Sequence, residues 1–149
     1  MADLRFGADA KLYRNTGTFG TPVWAEVKNV NDALNVGLTY AEADATIRGV
    51  GVTQSEPTLL GLELSFRMLE DLDDTQFTAI RTAALAKTIL DMLTCSGPVA
   101  TAGETYVRKE FKVTGFNKGE PLNGINTYDV VMKPCFSTNP LQAGVTPLA

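Results

Sequence analysis

The sequence predicts a mainly β fold, an antiparallel β-sandwich or barrel-like sheet with one flanking α-helix. The chain has 149 residues, which is about the size of one domain. Several segments alternate apolar and polar side chains with the period of a β-strand, and clusters of Gly, Pro and Asn separate them. One segment near the middle instead has the period of an amphipathic helix.

Composition and charge exclude several classes of function. The formal net charge of −4 disfavours proteins that hold nucleic acid, or dock on anionic membranes, through a basic surface. The chain has no histidine, the commonest general base and metal ligand. No apolar run approaches the roughly 20 residues of a membrane-spanning helix, and an opening with Asp3 and no apolar stretch is not expected to be a signal peptide.

The two cysteines, Cys95 and Cys135, form no CxxC motif. Two such residues cannot complete a four-ligand zinc site. We therefore expect reduced, partly buried thiols rather than a disulfide or a metal centre.

The first two predicted strands form a hairpin with a long loop. Ala10–Arg14 and Val23–Val27 alternate, and Asn15–Pro22 between them contains two glycines and a proline. Trp24 lies on the opposite face from Val23, Ala25 and Val27.

The next pair of strands is separated by a loop that we expect to be long and mobile. Residues 34–48 alternate but are rich in small and polar side chains, and Leu59–Leu69 is the clearest strand of the chain. Gly49–Pro57 between them has two glycines and a terminal proline. On Leu59–Leu69 the predicted core face consists of Leu60, Leu62, Leu64, Phe66 and Met68, and the predicted wet face of Gly61, Glu63, Ser65 and Arg67.

The single predicted helix runs from Thr75 to about Lys87. Asp73 or Asp74 is suited to the N-cap, and Asp73 with Gln76 has the spacing of a capping box. The apolar stripe consists of Phe77, Ile80 and Ala84.

Three further strands are expected at Thr88–Thr94, Thr105–Phe116 and Asn126–Phe136. In the second of them, alternation places Val107, Phe111 and Val113 in the core and Arg108, Glu110 and Lys112 in water. In the third, it places Tyr128, Val130 and Met132 on one face and Asp129, Val131 and Lys133 on the other. The uncharged segment Ser137–Ala149 is expected to be irregular, so that the core of a single domain spans about residues 10–136.

No catalytic, cofactor-binding or metal site is predicted. Asp71–Asp74 lacks the glycine and distal glutamate of a calcium loop and is better explained by helix capping. Glu42 and Asp44 share one face of a strand, where a surface role is more common than catalysis. Gly49-Val50-Gly51 lacks the third glycine of a dinucleotide-binding motif, and no histidine is present to activate a serine or threonine.

The order of several short motifs resembles that of siphophage tail tube (major tail) proteins. The resemblance runs from about Lys11 to Asn139, and the order and spacing of the pieces carry it. These pieces are Lys11-Leu12-Tyr13-Arg14-Asn15-Thr16-Gly17-Thr18, Trp24-Ala25-Glu26-Val27, Glu42-Ala43-Asp44-Ala45-Thr46-Ile47-Arg48-Gly49, Phe77-Thr78-Ala79-Ile80-Arg81, Phe116-Asn117-Lys118-Gly119-Glu120-Pro121-Leu122 and Lys133-Pro134.

The resemblance implies a non-enzymatic structural subunit that forms homohexameric rings, which stack into a tube and conduct DNA. The lumenal hairpin would consist of about Val36–Arg48 and Leu59–Leu69, and residues 137–149 would form a C-terminal arm. The ring-stacking loop would be Gly49, Val50, Gly51, Val52, Thr53, Gln54, Ser55, Glu56 and Pro57. The candidates to face the lumen would be Glu63, Ser65 and Arg67.

The same resemblance implies other tail proteins as partners, no cofactor, no membrane binding, synthesis in the host bacterial cytoplasm and a final place in the virion tail. The acidic chain would keep DNA from adhering to the bore, since like charges repel over about 8 Å at physiological salt. Two alternatives stay open, a ring protein of a secretion or contractile-injection tube and a monomeric β-barrel that binds a small apolar ligand.

Overall fold

A computed structural model describes residues 4–31 and 34–147. In these residues eight strands form one antiparallel sheet, accompanied by a single α-helix. The strands are β1 (Lys11–Asn15), β2 (Trp24–Glu26), β3 (Asn35–Asp44), β4 (Ser55–Leu69), β5 (Leu90–Cys95), β6 (Thr105–Gly119), β7 (Thr127–Pro134) and β8 (Gln142–Val145); the helix α1 is Thr75–Ala86, and Gly7–Asp9 forms one 3₁₀ turn. The mainly β fold class with one flanking helix is confirmed.

The strand order is β2-β1-β5-β6-β7-β4-β3, and β8, which is not part of this order, pairs with β6. The long strand β6 therefore has two different neighbours along one edge. Residues Phe111–Gly119 pair with β7, and Thr105–Arg108 pair with β8. β2 and β3 stand at the two ends of the order, so the sheet is open in the described part of the chain.

Helix α1 begins and ends where local chemistry dictates. The Asp74 carboxylate accepts a hydrogen bond from the Gln76 N–H at 3.0 Å, which makes Asp74 the N-cap. Gln76 is thus at the second helical position, and the predicted capping box of Asp73 with Gln76 is wrong. The side-chain oxygen Oε1 of Gln76 instead accepts a hydrogen bond from Arg14 Nε at 2.7 Å. Lys87 terminates the helix in the left-handed conformation, with φ of 58°.

The main core lies between α1 and one face of the sheet. Phe77, Ile80 and Ala83 are the buried residues of the helix, so the third member of the predicted stripe is Ala83 rather than Ala84. Phe77 packs against Tyr128 of β7 with ring centroids 5.3 Å apart, and each such burial contributes about 1.5–3 kcal/mol. The predicted core faces of β4 and β7 both point here, through Leu62–Met68 and Tyr128–Met132.

A smaller core lies on the opposite face of the sheet. It consists of Tyr13, Leu93, Cys95 and Tyr106, with Trp24 and Val99 packed against it. Cys95 is buried and Cys135 is partly buried, both as free thiols.

This second core corrects the prediction for the first half of β6. Arg108 and Glu110 were expected in water, yet they are 3% and 9% exposed. Alternation assigned them to the correct face, but the 16–23 loop and the C-terminal segment cover that face. Lys112, beyond this cover, is exposed as predicted.

The C-terminal segment is also more ordered than predicted. Residues 142–145 form β8, and Thr146 after them is buried. β8 occupies the edge of β6 that β7 leaves when it ends at Pro134, which explains why a segment of low β-propensity becomes a strand. Residues 148 and 149 of the predicted arm lie outside the described residues.

Among the described residues, no helix combines the length and the apolar character needed to cross a bilayer.

Candidate assembly surfaces

The hairpin formed by β3 and β4 extends beyond the rest of the sheet. β4 pairs with β3 from Ser55 to Ser65, whereas its pairing with β7 covers only Leu64–Leu69. The outer half of the hairpin is therefore a two-stranded ribbon. Its backbone edges are open to pairing with another chain, as edge strands are in general.

The tip of this hairpin is residues 45–54, closed by hydrogen bonds at its base. Ala45 N donates to Gln54 O at 2.9 Å, and Gln54 N donates to Thr46 Oγ1 at 3.0 Å. Hydrogen bonds from Thr46 lower the pKa of the Asp44 carboxyl, because they favour its charged form. Gly49 has a φ of 92°, a backbone conformation that residues with a side chain rarely adopt.

The observed tip corrects the bounds predicted for the loop. Of Gly49–Pro57, residues 49–54 lie in the tip, but Ser55, Glu56 and Pro57 are the first residues of β4. Their partners are Asp44, Ala43 and Glu42 of β3. Pro57 is accommodated because the ladder shifts register between Tyr40 and Glu42, and a bulge tolerates a residue without an N–H. The predicted strand to Arg48 likewise ends earlier, at Asp44.

One face of the hairpin carries a row of apolar side chains that become more exposed toward the tip. On β4, Leu64 and Leu62 are 1% and 6% exposed, and Leu60 is 37% exposed. On β3, Leu38 pairs with Leu62 and Tyr40 pairs with Leu60, and these two residues are 54% and 55% exposed. We call Leu38, Tyr40 and Leu60 the apolar row. It continues the core face past the helix, so the hairpin exposes apolar surface with no cover in the described chain.

The predicted wet face of β4 is the opposite face of the same strand. Glu63 and Arg67 are exposed and Ser65 is half-buried. Arg67 Nε lies 2.7 Å from Asp129 Oδ1 on β7. Arg67 therefore has a partner within its own chain.

The charges on this open face are mixed. Lys112 and Lys133 are exposed and lie directly opposite each other on β6 and β7. With Arg67 they are three positive charges against the two negative charges of Glu63 and Asp129, so the face is not acidic in the described residues. The net charge of the chain therefore does not describe this surface, and repulsion of DNA by a uniformly acidic face is not supported.

The described residues contain no group of three or more Cys, Asp or Glu side chains placed to hold a metal ion.

Solved structures with the same architecture give the class of this fold. The chain is similar to the tail of an empty gene transfer agent particle refined with C6 symmetry, with a TM-score of 0.69, 10% identity and coverage of 96% of this chain and 99% of that one. It is also similar to the SPP1 tail tube, with a TM-score of 0.67, 9% identity and coverage of 87% and 75%. A third similar chain is from the baseplate of the anti-feeding prophage, with a TM-score of 0.60, 7% identity and coverage of 93% of both chains.

Neither a protein-family model nor a curated protein matches the sequence. With identities of 10% or less, the structural likeness is one of fold. The protein has the tail tube fold, as the order of its motifs predicted.

Proposed function

We propose that this chain is a structural, non-catalytic subunit of a tail tube, in which six copies form a ring and stacked rings conduct DNA. The likeness to the tail of a gene transfer agent particle with C6 symmetry supports the sixfold ring. Such a subunit is made in the cytoplasm of a bacterial host, joins other tail proteins and resides in the tail of the particle.

The observation that carries this proposal is the uncovered apolar row on an open two-stranded ribbon. A neighbouring copy would bury Leu38, Tyr40 and Leu60 and pair with the open edge of β3. In a head-to-tail ring every copy has the same two neighbours, so closure removes all such edges at once. A monomeric ligand-binding barrel is disfavoured, because the described sheet is open and its core is filled by side chains such as Phe77 and Met132.

The test compares self-association of the purified chain with that of a Leu38→Ser/Tyr40→Ser variant by sedimentation velocity over a range of concentrations. We expect the unmodified chain to assemble and the double variant to remain monomeric with unchanged circular dichroism. Leu122→Ser is the matched control, since Leu122 is exposed but lies outside the hairpin. Equal assembly of the double variant, or a strictly monomeric unmodified chain, would contradict the proposal.

Within this assembly, Glu63, Ser65 and Arg67 would face the bore, and the hairpin tip with Ser55–Pro57 would contact the next ring. The first assignment is tested with Glu63→Cys in a Cys135→Ser background. In tubes we expect this thiol to react with a small maleimide but to be protected from one carrying a large polyethylene glycol. In the free subunit both reagents should react. Equal reaction with the bulky reagent in tubes and free subunits would place this face outside.

A contractile-injection tube is the second candidate, favoured by the likeness to the anti-feeding prophage baseplate. The two candidates differ in their cargo. Particles isolated with this chain should contain nuclease-protected DNA under the first proposal, whereas protein cargo without DNA would favour the second.

A further inference from the structure

A row of polar side chains on β6 and at its start is buried although its pattern is that of a solvent-facing strand. Glu104, Tyr106, Arg108 and Glu110 occupy alternate positions and all are less than a tenth exposed. Alternate residues of a strand share a face. Another segment of the chain must therefore cover the face on which these four side chains lie.

Part of that cover is residues 138–147, which we call the strap. Four of its residues meet the buried row one after another. These contacts are Asn139 Nδ2 with Glu110 Oε1, Gln142 Oε1 with Arg108 Nη1 at 3.3 Å, Gly144 alongside Tyr106 in the β8–β6 ladder, and Thr146 Oγ1 with Glu104 N at 2.8 Å.

Two of the three charges of the row, Glu104 and Arg108, have partners outside the strap. Glu104 accepts from Ser96 Oγ at 2.5 Å and from Arg5 Nη1 at 2.9 Å. Arg108 donates to Asp91 Oδ2 at 2.6 Å and to Phe19 O at 2.8 Å. Lifting the strap would leave neither of these charges unpaired. The third charge, Glu110, would lose its contact with Asn139 of the strap but would be exposed to water, so the large penalty for a buried lone charge does not oppose opening.

The strap itself buries little apolar surface. Ala143, Gly144 and Val145 are exposed, and Leu141 is the strap residue that packs against the main core. Its attachment is mostly polar and is strongest at Thr146. The Thr146 hydroxyl donates to Thr101 O at 2.5 Å and accepts from Glu104 N, while Thr146 N donates to Glu104 O at 2.7 Å.

We propose that the strap is a closure that opens as one unit while the rest of the sheet stays folded, with Thr146 as its latch. The polar row beneath it suits both states, because it is hydrogen-bonded when covered and compatible with water when open. Opening leaves the backbone edge of β6 at Thr105–Arg108 unpaired and accessible to water. This inference does not depend on the proposed function.

Hydrogen exchange followed by mass spectrometry on the full-length chain tests it, with Thr146→Val removing only the latch hydroxyl. In the unmodified chain we expect strap amides to exchange about a hundredfold faster than those of Leu62–Met68, as expected for local opening. Thr146→Val should speed strap exchange at least about tenfold and leave Leu62–Met68 unchanged, since the hydroxyl makes two hydrogen bonds and one net hydrogen bond has roughly a tenfold effect. Thr138→Val is the control, because Thr138 is exposed on the same segment.

Two results would overturn the proposal. One is exchange of the strap and Leu62–Met68 at a common rate in the unmodified chain, which means that the strap leaves only on global unfolding. The other is a strap rate in Thr146→Val that equals that in Thr138→Val, or an equal acceleration of strap and core, which removes Thr146 as the latch.

Discussion

The guanidinium of Arg108 is enclosed by groups from distant parts of the chain. It forms a pair with Asp91 of β5, and its Cζ lies 3.9 Å from the ring centroid of Phe19 and 4.9 Å from that of Trp24. The Arg108 guanidinium is desolvated, is paired with Asp91 and lies over two aromatic rings. These contacts hold the 16–23 loop against the sheet. The charge of Arg108 therefore contributes to the packing of this loop on the sheet.

Replacing Arg108 with methionine should therefore destabilise the protein strongly. The variant leaves the Asp91 carboxylate, whose side chain is 11% exposed, with the hydrogen bond from Asn15 Nδ2 but without its cation. Breaking a buried ion pair costs about 3–5 kcal/mol. Urea denaturation followed by Trp24 fluorescence measures the change in the free energy of unfolding. Arg67→Met is the control, since the exposed Arg67–Asp129 pair should contribute about 0–1 kcal/mol. Equal losses in both variants would contradict this account of Arg108.

At the residue scale, the sequence predicts which side chains share a face but not which face is covered. Alternation placed Arg108 and Glu110 together correctly, and their charge then indicated water. Their cover comes from Phe19 and from the strap, far away along the chain. Periodicity contains no information about such contacts. The wet face of Glu63 was predicted correctly because nothing in the described chain covers that half of the sheet.

At the element scale, the tip of the β3–β4 hairpin provides a prediction that separates folding from assembly. Ala45 and Gln54 are hydrogen-bonded across the base, so replacing residues 46–53 with Asn-Gly should close the strands with a tight turn. The exposed tip adds nothing to the core, and we expect circular dichroism and the melting temperature to change little. Rings should form but not elongate into tubes in electron micrographs. Long tubes from the shortened chain would exclude the tip as the stacking contact.

The errors in element bounds have physical causes. Pro57 indicated the end of a loop, but the register shift beside Glu42 lets a proline stand inside a strand. β8 had no recognisable pattern, because a four-residue strand of small and polar side chains is specified by the vacant edge of β6 rather than by its own propensity. The bounds of the helix, and the core face and C-terminal end of β4, were predicted well, since each has a strong period.

At the scale of the whole molecule, the fold leaves apolar surface and a sheet edge that nothing in the described chain covers. The open edge of β3, the two-stranded ribbon and the apolar row all lie on the β3–β4 hairpin. The mainly β class could be predicted from alternation alone, and the order of the motifs indicated the tail tube fold. The sixfold ring stays a prediction from the resemblance, because symmetry is a property of several copies and the structure of one copy does not contain it.

Cryo-electron microscopy of particles assembled from the purified chain tests the central claim most directly. We predict a hollow tube of stacked rings with six copies each, in which neighbouring copies bury Leu38, Tyr40 and Leu60 and the face of Glu63 lines the bore. Particles without closed rings, or rings in which helix α1 lines the bore and the apolar row stays in solvent, would contradict it.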